Sequence, residues 1–161
     1  GTFTGTITGT FTENLADFDM DLTQPLFQGF TQNYASTICA LGALALLMFV
    51  QLLVADVAGL RARHVPGATV PVDHDNFLFR ASRAVGNVNE SIAVFLLAVL
   101  FCLLSGASAS STGYAAWGFV AARIAYALCY YLNLQALRSI AFGISLIALA
   151  ALLILGAAVW L

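Results

Sequence analysis

The sequence predicts an all-α membrane protein: a four-transmembrane-helix bundle with a β-like extension in front, outside the cytoplasm. Three observations predict it. Hydrophobic residues make up 61% of the 161-residue chain and charged residues only 9%, where a soluble domain carries about 25% charged residues. The apolar residues gather in four runs, each close to the roughly 20 residues that a bilayer core requires. Five of the six basic residues, all arginines, lie on one side of those runs: Arg61, Arg63, Arg80 and Arg83 around the first connection, and Arg138 at the last. By the positive-inside rule that side is cytoplasmic, and both termini face away from it. A bacterial inner membrane or a comparable one is the expected setting. With a net charge of -2, nothing favours nucleic acid as a partner.

Residues 1–33 form the extension. Its first twelve residues repeat as Gly-Thr-Phe-Thr, Gly-Thr-Ile-Thr, Gly-Thr-Phe-Thr. This alternation is a strand signal, and a strand needs a neighbour to pair with. A flexible tail caught by a neighbour and a strand shared between subunits both fit, so residues 1–33 are a candidate contact with a membrane-complex partner. Glu13, Asp17, Asp19 and Asp21 then make an acidic stretch leading to the membrane.

Residues 34–161 form the membrane domain. The first span runs from Tyr34 to about Val57 and is interrupted by Gln51 and Asp56. The second covers about Val85–Leu104. A small-residue loop, Ser105–Gly113, leads to the third span, about Tyr114–Leu134. The fourth runs from about Leu137 to Leu161, after a link so short that the last two helices must be antiparallel. Cys39, Cys102 and Cys129 each fall in an apolar run and read as free thiols used as small hydrophobes.

Arg80, Arg83, Asn87 and Glu90 follow one another at steps of three, four and three. On a helix this spacing makes one polar ridge. A polar ridge at the mouth of a membrane helix must meet partners inside the protein or line a wet site. Glu90 lies seven residues beyond Arg83, roughly 10 Å deeper, and Arg123 lies eleven before Leu134, roughly 16 Å in. On antiparallel neighbours the two charges reach similar depth, which predicts a structural ion pair between Glu90 and Arg123. Arg123, Tyr126 and Tyr130 share a face, and Arg138-Ser139 opens the fourth helix at the same end. Arginines there can clamp carboxylates and Glu90 can hold an ammonium, a set suited to a small zwitterionic peptide.

The run Arg83-Ala84-x-x-Asn87-x-x-Glu90 resembles the signature of the MAPEG family, the membrane-associated proteins of eicosanoid and glutathione metabolism. Arg123-x-x-Tyr126-x-x-x-Tyr130 followed by Arg138-Ser139 resembles that family's later helices, above all in the prostaglandin E synthase branch, and Arg61-x-Arg63 resembles a basic pair after its first helix. The resemblance covers about residues 34–161. It implies a homotrimer of four-helix subunits with glutathione bound between them. It further implies that Arg61, Arg83, Asn87, Glu90, Tyr126, Tyr130 and Arg138 bind the tripeptide, and that Arg138 or Ser139 stabilises its thiolate. The chain departs from the branch at three positions: Gly86 stands where the branch has arginine, Tyr126 where it has histidine, and Phe142 where it has tyrosine.

Two functions follow. One is a glutathione-dependent membrane transferase or peroxidase acting on lipophilic substrates. The other is a non-catalytic scaffold or accessory subunit that docks through its extension. A transporter fits less well, since four helices show neither an inverted repeat nor a broken helix. No metal is expected: Asp73-His74-Asp75, with His64 nearby, are loop neighbours without a closed ligand set. Asn89-Glu90-Ser91 matches a glycosylation sequon but lies within a membrane helix. The glycines of the last helix, Gly143 and Gly156, are expected to serve close helix packing.

Overall fold

The computed structural model describes residue 25 and residues 27–65 and 67–161. The Thr-rich repeat and the acidic stretch of the extension lie outside the described residues. The chain divides into two compact units, Gly1–Ala35 and Ser36–Leu161. In the first, residues 27–33 are helical, and the rings of Phe30 and Tyr34 lie tilted against each other with centroids 5.1 Å apart.

The second unit is built from four long helices: α1 (Ala35–Arg61), α2 (Phe77–Ser105), α3 (Ala109–Tyr131) and α4 (Gln135–Ala157). Secondary structure among the described residues is helical throughout. Of the four, α1, α2 and α4 are long and apolar enough to cross a membrane. α3 has the length, at 23 residues, but not the hydropathy. It carries Arg123 and four tyrosines, and it keeps its inner polar groups by burying them: Arg123, Tyr126 and Tyr130 all lie inside.

The connections explain where the helices end. Three of them close in the same way, with a left-handed residue just past the last turn and paired backbone bonds back into it. After α1, Arg63 has φ 52, with His64 N–H donating to the Gly59 carbonyl at 3.0 Å. After α2, Gly106 has φ 70, and Ala107 N–H donates to the Cys102 carbonyl at 3.0 Å. After α3, Asn133 has φ 59, and Leu134 N–H donates to the Cys129 carbonyl at 2.8 Å. Two of the starts are set by side chains. The Asn76 oxygen accepts from Leu78 N–H, and Ser108 caps α3. The expected loop Ser105–Gly113 therefore shrinks to Gly106–Ser108, and Ala109–Gly113 become helix. Gly113 is required there, because a Cβ would come within 2.9 Å of the Ser36 hydroxyl oxygen on α1.

α3 and α4 share the most extensive contact and α2 packs on both. Their common core holds Phe95 stacked on Phe119, centroids 4.3 Å apart, with Val99, Cys102, Leu149 and Leu152 around them. Cys102 Sγ donates to the Leu152 carbonyl. Gly156 sits where a Cβ would meet the Phe101 ring at 2.5 Å, so it serves close packing as expected. Gly143 has open space beside it and does not. α1 stands further off, and only one narrow stripe of it is buried: Thr37, Ala40, Leu44, Gln51 and Ala58.

Candidate functional site

The polar ridge of α2 divides once the chain is folded. Arg80 turns back to the preceding loop, its Nη1 donating to the carbonyls of His74 and Asp75 at 2.6 and 2.9 Å. Asn87 points inward and is buried, whereas Arg83 and Glu90 are exposed. The cause is geometric. A face stepped at three and four drifts around the cylinder, so residues ten apart do not all meet the same neighbour.

Arg123 is fully buried at 0% exposure. Its Nη1 donates to Asn87 Oδ1 at 2.5 Å. The rest of the guanidinium is surrounded by rings: Phe119 at 5.1 Å, Phe142 at 5.4 Å and Tyr126 at 5.6 Å from ring centroid to the central carbon. Each is within the reach of a cation–π attraction. Nε and Nη2, the edge that could grip a carboxylate with two parallel bonds, have no hydrogen-bond partner among the described residues. The ion pair expected from helix depth is therefore not formed in the single chain. Glu90 is exposed, and Asn87, one turn earlier and on the inner face, takes its place.

From Arg123 the site continues towards the start of α4. The Tyr126 ring lies 6.2 Å from Phe142 and packs edge-on to Tyr130 at 5.1 Å. Arg138, in the first turn of α4 and half-buried, lays its guanidinium over the Tyr130 ring at 4.5 Å. Ser139 is exposed, its hydroxyl donating to the Gln135 carbonyl at 3.4 Å. No side chain caps the N-terminus of α4, so its first-turn amides are free of side-chain competitors for an anion. A continuous cluster thus joins Arg138, Tyr130, Tyr126, Phe142, Arg123 and Asn87 across α2, α3 and α4.

In the single chain Arg61 lies apart from this cluster. It is exposed on the last turn of α1 and lines a cleft between α1 and α2. Phe119 is the wall of the cation site that the sequence reading missed. Its spacing to Arg123 and Tyr126, four and then three residues, is the helical step that could have found it. Tyr131, next to Tyr130 in sequence, packs against a different cluster, Ala58, Leu78 and Ala81.

The MAPEG family model matches residues 37–158, most of the second unit and all four of its long helices. No curated protein and no solved structure matches the chain.

Proposed function

The chain belongs to the MAPEG family and is an integral membrane protein with helices apolar enough to cross the bilayer; from that premise we propose that it is a glutathione-dependent transferase or peroxidase acting on lipophilic substrates. The observation that carries this reading is Arg138, held over Tyr130 at the uncapped start of α4. A free thiol has a pKa of about 8.5, so only a few per cent is thiolate at neutral pH. A nearby cation lowers that value, and the positive end of a helix adds to the effect. A thiol pKa lower by about one raises the thiolate fraction nearly tenfold.

The charges available answer part of those that the tripeptide carries. Glutathione carries two carboxylates and one ammonium. Arg83 and Arg138 supply cations with accessible surface, and Glu90 supplies an exposed carboxylate. Arg138 is assigned to the thiolate, with Ser139 as a supporting donor, and Arg83 and Glu90 to the ends of the peptide. Tyr126 and Tyr130 form the inner wall that positions Arg138. Asn87 ties the α2 ridge to Arg123. The residue pattern comes nearest to the prostaglandin E synthase branch. An exposed acid and an exposed arginine on a membrane helix call for cover, which a homotrimer with the ridge at its subunit contacts would provide. In this arrangement α3 also crosses the membrane, its polar residues turned inward, which makes four spans, and both termini lie outside the cytoplasm. Cysteines placed at the exposed Ser110 and Thr69 should then label from opposite sides.

A second reading is favoured by Phe142 and Gly86. The rings around Arg123 include a phenylalanine with no hydroxyl to offer a thiol, and the α2 ridge lacks one arginine. A non-catalytic scaffold, docking through residues 1–33, fits those losses. Glutathione titrated into the purified protein separates the two. The enzyme reading expects binding together with a thiolate absorbance that Arg138→Ala abolishes while the oligomer stays intact. Neither binding nor absorbance in the unmutated protein would leave the scaffold reading.

A further inference from the structure

The cleft between α1 and α2 has a volume of about 740 Å³, within the range of small-molecule sites. Its walls are Val50, Leu53, Val54 and Val57 on α1 and Phe77 and Leu78 on α2, with Arg61 at one end. The four α1 residues step by three, one and three, a single helical face. Leu53, Val57 and Phe77 remain 48%, 47% and 41% exposed, so the groove is open rather than filled by the chain's own packing.

We propose that this groove is a binding site for one anionic phospholipid, an acyl chain lying along α1 and the phosphate meeting Arg61. Three features select this occupant. Val50 to Arg61 is eleven residues, roughly 16 Å of helix, about half of a bilayer core roughly 30 Å thick; that is the length of a chain from one leaflet. The one charged lining residue stands at the interfacial end, where a headgroup sits, and its guanidinium is exposed, with no hydrogen bond or ion pair to a side chain or backbone group among the described residues. A second cleft, of about 590 Å³ and also flanked by α1, carries Asp56 and His64 in its lining, and there the carboxylate of Asp56 would repel an anion. In the adjoining loop Arg63 adds positive charge and the Asp73 carboxylate accepts from the Asp75 N–H, while Arg80, in the first turn of α2, is held by backbone carbonyls. α1's separation from α2 is what opens the groove, so the lipid acts as a packing element that the chain itself does not provide.

The test is native mass spectrometry of the delipidated full-length protein in non-ionic detergent, with equal amounts of phosphatidylglycerol or phosphatidylcholine added. The tightest-bound lipid should be phosphatidylglycerol, preferred by roughly fivefold, the factor corresponding to one arginine's attraction for an anionic lipid. Arg61→Gln should abolish the preference and Arg61→Lys keep it. Val54→Trp, which fills the groove, should lower retention of this lipid without changing oligomeric state. Equal retention of both lipids, or a preference unchanged in Arg61→Gln, overturns the proposal. So does a Val54→Trp variant that breaks the oligomer and leaves lipid retention unchanged, because the groove would then seat a neighbouring copy.

Discussion

Removing the Asn87 oxygen tests the centre of the cluster most directly. In Asn87→Leu, the guanidinium of Arg123 loses the one hydrogen bond it makes, at 0% exposure and with Nε and Nη2 already without partners. A hydrogen bond to a charged group contributes roughly 1.5–3 kcal/mol, and leaving its partner buried and unsatisfied adds to the loss. The rings of Phe119, Tyr126 and Phe142 stay in place and continue to attract the cation, which holds the net cost to about 2 kcal/mol. For a chain of this length that is a fall in Tm of about 4–8 °C. Arg123→Met removes the buried cation itself but leaves the buried Asn87 amide without its partner, and should cost about 1–3 kcal/mol. The decisive variant is the double one. With both partners gone nothing charged remains buried, so Asn87→Leu/Arg123→Met should be more stable than Asn87→Leu alone, a coupling that only directly interacting residues show. Thermal unfolding in detergent, followed by the fluorescence of Trp117 and Trp160, reads all four proteins. If the double variant loses the sum of the two single losses, Asn87 is not the partner of Arg123 and the cluster is wrongly joined.

Four further substitutions follow from the same geometry. A Cβ at Gly86 meets nothing within 4 Å, so Gly86→Arg should be tolerated; calorimetry should show glutathione held about tenfold tighter, the low end of what one charge-assisted bond supplies. Phe142→Tyr places a hydroxyl on a ring already 5.4 Å from Arg123 and beside Tyr126, and should raise the thiolate absorbance of bound glutathione relative to the unmutated protein. Gly156→Ala forces a methyl to within 2.5 Å of the Phe101 ring and should cost about 1–3 kcal/mol by overpacking, visible as a lower Tm, while Gly143→Ala, with open space beside it, should not.

Helix existence, order and approximate ends were legible in the chain because they depend on local matters: apolar runs of bilayer length and the residues that cap them. Even so, Ala109–Gly113 reads as a loop and folds as helix from the Ser108 cap onward, and the approach of Gly113 to Ser36 on α1 is one that no local pattern reveals. Part of the buried cluster was legible in the sequence. Asn87, Arg123, Tyr126, Tyr130 and Arg138 are each recognisable from helical spacing or family resemblance, and the fold joins these five.

By itself the sequence determined that this is a helical membrane protein with arginines at one end and a buried polar core. Composition and periodicity act through free energies of transfer that hardly depend on which helix lies where. Tertiary structure decided the partners. Equal depth made Glu90 and Arg123 a reasonable pair, but depth is one coordinate, and the azimuth of each helix is set by packing. Packing turned Asn87 inward and Glu90 outward, gave Arg123 three rings and an amide in place of a carboxylate, and left α1 far enough from α2 to open a groove beside Arg61.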